Sequence, residues 1–171
     1  MKKSILFSML LFAFSIAANA QRFALIDMEY ILKNIPAYER ANEQLNQISK
    51  KWQSEVETLS NEAQKLYKNY QSEAVFLSEE QKTKKENEIV EKEKAAGELK
   101  RKYFGPEGEL FKKRESLIKP IQDEIYNAVK TIAETKGYSA IIDRASATSI
   151  IFASPQIDIS NDVLTKLGYS N

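Results

Sequence analysis

From Tyr38 to Ala74 the apolar residues form two interleaved series of seven-residue steps: Leu45, Trp52, Leu59 and Leu66, and Val56, Ala63 and Tyr70. Together they advance by threes and fours, which places them on one stripe of an α-helix with the period of a coiled-coil seam. The other faces are filled by Glu, Lys, Gln and Asn. Helix breakers are few and localised: Pro36, the cluster Gly105, Pro106 and Gly108, then Pro120 and Gly137. A chain with this pattern is committed to a long polar helix whose single apolar stripe packs against one or two neighbouring helices.

The stripe stops at the stretch AVFLSEEQ. Ser78 followed by Gln81 fits a capping box, so a second helix starts there, and Ala74–Leu77 is a turn carrying Val75, Phe76 and Leu77. The next segment, 79–102, is mostly charged, with Ile89, Val90, Ala95, Ala96 and Leu99 as an apolar minority. From Leu110 the stripe returns through Phe111, Leu117, Ile118, Ile121, Ile125, Val129 and Ile132. Length then constrains the path. An outgoing helix over 37–74 spans about 57 Å at a rise of ~1.5 Å per residue, and an unbroken return to residue 136 overshoots it by about 30 Å. Pro120 removes a helical hydrogen bond and clashes with the preceding turn, so the expectation is a break or kink there. Residues 36–118 are therefore read as a long antiparallel hairpin with its tip at 75–78. Ile121–Lys136 is read as a separate helix, and Gly105–Gly108 as a kink within the return leg, where Gly97, Gly105 and Gly108 are candidate hinges.

Two short apolar runs follow Gly137: YSAIID and, after the polar RASATS, IIFAS. Both read as strands, and DISNDVLTKLG reads as a short capped helix. The segment Phe23–Ile26 is a third strand, and its backbone groups need a partner. A hairpin that brings the chain back lets it pair with Ser139–Asp143 or with Ser149–Ala153; the residues leave that choice open. The fold class is α+β, with a discontinuous body (21–35 and 119–171) and an inserted helical hairpin (36–118). The body has fewer than seventy residues, a marginal size for an independent core. Its completion by oligomerisation through the strands is expected, with Phe23, Leu25, Ile141, Ile142, Ile151 and Phe152 as the candidate residues. The number of chains is not fixed by these residues.

The first twenty residues read as a leader. Lys2 and Lys3 precede the apolar run Ile5–Ala18, and Ala18-Asn19-Ala20 is a small-x-small cleavage site. Removal leaves 151 residues with 23 basic and 24 acidic side chains, an exported, soluble chain without the positive field of a nucleic-acid binder. There is no cysteine, hence no disulfide and no thiol for a lipid anchor, and no histidine. With no glycine-rich phosphate loop and no nucleophile beside a base, the residues point away from an enzyme and imply no cofactor or metal. An acid pair near Asp27 and Asp143 is the one arrangement that would bear on catalysis. Between Lys100 and Lys119 seven basic residues face three glutamates. This cluster is either a solvated surface or a docking point for a membrane's anionic headgroups or acidic partners.

At its two ends the chain resembles the Skp/OmpH family of periplasmic chaperones. FALIDMEYIL is similar to the family's first strand and helix start, IQDEIYNAVKTIAETKGYSAIIDRAS to its body helix and following strand, and DISNDVLTKLG to its closing motif, with Ser160 in place of a threonine. The charged hairpin is similar to the family's tentacle. The resemblance implies a periplasmic homotrimer whose strands build one body and whose hairpins enclose a cavity. Unfolded outer-membrane proteins are the implied partners, held without ATP, and Val75, Phe76 and Leu77 at the tip are candidate client contacts. The family is markedly basic and this chain is not, so no lipid site is carried over. The competing class is an envelope adaptor in which the hairpin bridges fixed partners.

Overall fold

The computed structural model describes residues 22–169, so the leader read at 1–20 lies outside the described residues. The described residues are mostly helical, with one small two-stranded sheet. It divides into two compact units, one containing the chain up to Asn34 and again from Glu124, the other spanning Ile35–Asp123.

In the first unit, strand β1 (Phe23–Ile26) pairs in parallel with β2 (Ala140–Asp143), in the register Phe23↔Ala140, Ala24↔Ile141, Leu25↔Ile142 and Ile26↔Asp143. Of the two partners open from the sequence, the first is taken. A parallel pair cannot close through a tight turn and needs a crossover connection; here the whole second unit lies in that connection. The other edge of β1 is met by a bridge at Asp158, with the Ile159 N–H donating to the Leu25 carbonyl at 2.9 Å. Helix α1 (Met28–Lys33) follows β1 directly because Asp27 caps it, accepting from the Tyr30 N–H at 2.8 Å. Ala24, Leu25, Ile26, Ile31 and Leu32 are buried, as are Ile159, Val163 and Leu164 at the closing helix.

The second unit begins with helix α2 (Pro36–Glu73), whose first-turn proline loses nothing because its N–H would have no helical partner. A 3₁₀ turn, Ala74–Phe76, leads to helix α3 (Glu79–Phe104). Both halves of the Ser78–Gln81 capping box form, at 2.9 and 3.3 Å. Helices α2 and α3 run side by side in opposite directions. As the position on α2 falls from Glu73 through Glu62 to Glu55, its partner on α3 rises from Lys85 through Lys92 to Tyr103. The stripe read on α2 is only partly covered: Leu45 and Ala63 are buried, while Trp52, Val56, Leu59, Leu66 and Tyr70 are half-buried.

Helix α4 (Glu109–Lys136) corrects one expectation. It continues through Pro120, so there is no separate helix starting at Ile121. The lost hydrogen bond falls on a solvent side of the helix, where Ser116, Lys119 and Pro120 are exposed; water can satisfy the freed carbonyl there, and Lys119 pairs with Asp123 across the proline at 3.2 Å. An interruption does sit at 105–108, where a kink in the return leg is expected from the sequence. A Cβ on Gly105 would lie 2.4 Å from the Arg101 carbonyl oxygen, and one on Gly108 would lie 2.7 Å from that of Tyr103. Both glycines are therefore required by close backbone approach.

Helix α4 ends at Gly137, which takes φ +69°, and the Tyr138 N–H reaches back to the Ala133 carbonyl at 3.0 Å. After β2 comes the second correction: residues 149–153 do not form a strand. A strand needs a neighbouring edge for its backbone groups, and among the described residues none pairs its backbone with 149–153. A 3₁₀ turn at Pro155–Ile157 then leads to helix α5 (Ser160–Lys166), where the Ser160 N–H is met by Asp158 at 2.9 Å.

Candidate functional site

Among the described residues, exposed apolar side chains gather at two places, one in each unit, while others such as Val90 and Phe111 are exposed on the helices. In the second unit, Val75 and Phe76 are 86% and 87% exposed, while Leu77 is half-buried. Their exposure follows from the local fold. The 3₁₀ turn and the Ser78 cap reverse the chain in few residues, which leaves no second layer to cover the side chains.

In the first unit the six residues read as strand candidates separate into three groups. Leu25 is buried and Ile141 half-buried. Phe23 and Ile142, at 48% and 42%, are partly open on the sheet, and Ile151 and Phe152 are 100% and 84% exposed. Tyr126 on α4 and Ile157 are also exposed in this unit.

The same unit holds a polar cluster that fastens three chain segments. The Arg144 guanidinium lies 3.2 Å from the Asp27 carboxylate and 3.3 Å from that of Asp158. Asp158 accepts from the Ser160 hydroxyl at 2.6 Å, and the Ser160 oxygen accepts from the Asp27 N–H at 2.8 Å. Asp143 accepts from the Met28 and Ala145 N–H groups at 3.1 and 3.0 Å. Burial pushes the Asp143 carboxyl up, but hydrogen bonds led by the one from Met28 outweigh it and hold the group below the ordinary carboxylate value. Asp27 and Asp143 are thus each engaged by N–H donors. The sequence reading missed Arg144 and Ser160. The available signal was Asp27 immediately before an apolar helix, the mark of an N-cap.

In the second unit polar contacts also join the helices. Lys85 meets Glu73 at 2.6 Å and Lys92 meets Glu62 at 2.8 Å, and the Tyr70 hydroxyl donates to Glu86. The Tyr103 hydroxyl donates to Glu55 at 2.6 Å, and this bond holds its ionisation above the ordinary phenol range. Beside it Tyr103 stacks on Trp52, a pairing that seam positions do not reveal because Tyr103 lies outside the regular stripe. Of the basic cluster, Lys112 pairs with Glu109 and Lys119 with Asp123. Lys100, Arg101, Lys113 and Arg114 have no carboxylate partner among the described residues.

Comparison with known proteins places this geometry. The chain is 26% identical to chaperone protein Skp of Yersinia enterocolitica over 157 residues, which is 91% of each chain. Its fold matches the crystal structure of a candidate outer membrane chaperone (OmpH-like) from Caulobacter crescentus CB15 with a TM-score of 0.68, covering 88% of this chain and 86% of that one at 11% identity. The sequence profile of the OmpH-like outer membrane proteins matches residues 22–167, and on that match, over most of the chain, the protein belongs to the OmpH-like family.

Proposed function

We propose that this protein is a periplasmic holdase that binds unfolded outer-membrane proteins without ATP. In this reading it is a homotrimer. The body read from the sequence, residues 21–35 and 119–171, supplies the assembly surface, and residues 36–118 form the arm that holds clients in a cavity between copies. The single observation that carries the reading is the uncovered apolar surface: Val75 and Phe76 at the turn between α2 and α3, and Phe23, Ile142, Ile151 and Phe152 around the sheet. Exposed apolar groups of this size mark interaction sites, since removing them from water contributes about 25 cal/mol per Å².

The two surfaces suit two different tasks. Residues 149–153 are rich in β-branched and aromatic side chains and lack a strand partner in one chain, which an edge from another copy would provide. The turn at 74–77 offers a few apolar side chains only, and weak contacts of that kind allow later release of a client. The relatives carry the same reading, being a chaperone by name in one case and an OmpH-like chaperone candidate in the other.

The experiment is sedimentation of the mature protein with and without a urea-unfolded outer-membrane β-barrel, paired with an aggregation-suppression assay on the same client. A trimer that takes up the barrel and keeps it soluble is the expected result. A monomer, or a trimer that leaves the barrel to aggregate, would overturn the reading.

A further inference from the structure

Helices α2 and α4 of the second unit border a groove of about 530 Å³ whose floor includes Trp52 and Ile48. Its rim carries Lys51, Lys112 and Lys113, with Glu109 as the one carboxylate. Glu109 is already engaged by Lys112 at 3.3 Å, so Lys51 and Lys113 present two uncompensated ammonium groups over an aromatic floor. Tyr103, which stacks on Trp52, is not among the residues lining the groove.

We propose that this groove is a binding subsite for an aromatic side chain flanked by carboxylates in an extended, unfolded polypeptide. The inference rests on the holding role above and names a chemical preference within it. The floor favours a ring, because an aromatic side chain gains from offset stacking on an indole beyond its buried area. The rim favours flanking acids, because Lys51 and Lys113 can each meet a carboxylate while their methylene stems line the apolar part of the groove. A volume of this size accommodates one ring with its neighbours. The strands of outer-membrane barrels supply such rings, since aromatic residues form girdles at both ends of their apolar bands. A lipid phosphate could use the ammonium groups but leaves the indole and Ile48 without a partner.

Trp52 is the only tryptophan, so its emission reports on the groove in the intact mature protein. The probe is a tryptophan-free peptide, Glu-Phe-Glu-Phe-Glu with neutral ends. The expected result is a saturable shift of Trp52 emission. Binding falls at least tenfold with the double variant Lys51→Glu, Lys113→Glu, falls less with Lys51→Gln, Lys113→Gln, and is lost when lysines replace the peptide's glutamates. Lys84→Glu, on the exposed surface of α3, leaves it unchanged. The proposal is overturned if the charge-reversed variant binds within twofold of wild type. It is equally overturned if the peptide leaves the emission unmoved, or if phosphatidylglycerol vesicles shift it where the peptide does not. The two readings fail separately. A wild-type protein that holds an unfolded barrel but ignores the peptide sinks the groove alone, whereas one that cannot hold the barrel sinks the holding role.

Discussion

Trp52 lies face to face with Tyr103, their ring centroids 4.6 Å apart and their planes 6° from parallel. The stack ties α2 to the last turn of α3, next to the interruption at Gly105–Gly108. Little else apolar holds that pair of helices, since Ile89 and Ala96 are the buried residues of α3. Replacing Tyr103→Ala should therefore lower stability by about 2 kcal/mol, combining lost stacking with lost apolar burial. Tyr103→Phe keeps the stack, loses only the bond to Glu55, and should cost under about 1 kcal/mol. Urea unfolding followed by Trp52 emission measures both, and the alanine variant should also shift the folded-state emission to the red.

Two glycines should respond to alanine with opposite signs. At Gly108 a Cβ would sit 2.7 Å from the Tyr103 carbonyl oxygen and 2.9 Å from the Gly105 nitrogen, both backbone atoms that cannot move aside singly. Gly108→Ala should destabilise by about 1–3 kcal/mol. Gly97 lies inside α3 with nothing within 4 Å of its would-be Cβ. Gly97→Ala should stabilise by about 0.5–1 kcal/mol through helix propensity. Denaturant midpoints at constant m-value decide both.

Stability should fall in acid through Asp143. Its carboxyl is held below the ordinary value in the folded chain, with burial opposing and the Met28 and Ala145 N–H bonds prevailing. A depressed folded value means that the unfolded chain binds the proton first. The contribution is thus fully present above the unfolded value of about 4 and disappears as pH falls through the lower folded value. Asp143→Asn should flatten that part of the stability–pH curve, as measured by thermal unfolding between about pH 6 and pH 2.

The exposed apolar groups predict a separation between folding and association. Phe152 is 84% exposed, so Phe152→Asp should change the stability of a single chain by no more than about 0.5 kcal/mol. On the assembly reading, the same change reduces the sedimenting mass to that of a monomer, and Phe23→Asp does likewise. Phe76→Asp with Leu77→Asp should leave the mass unchanged and weaken suppression of barrel aggregation.

Local signals in the sequence proved reliable where the chemistry is itself local. The start of α2 at Pro36, the Ser78–Gln81 cap and the end of α4 at Gly137 each depend on residues within a few positions of one another. Pro120 shows the limit of such rules. The cost of a proline in a helix depends on what lies around it, and in α4 the freed carbonyl is on an exposed side, so the helix persists. The run Ser149–Ala153 has strand composition, yet composition provides no edge to pair with, and within one chain it remains irregular.

By itself the sequence determined the period of the long helices, the position of the turn between α2 and α3, and the absence of any thiol or imidazole chemistry. These follow from side-chain spacing, backbone preference and inventory. Only the tertiary structure decided that Phe23–Ile26 pairs in parallel with Ala140–Asp143, that Arg144 bridges Asp27 and Asp158, and that Tyr103 reaches Trp52. Apart from the short step from Arg144 to Asp158, these contacts join residues about fifty to one hundred and twenty positions apart. No local periodicity encodes such a contact; it exists because ordering the intervening helices brings the partners within reach.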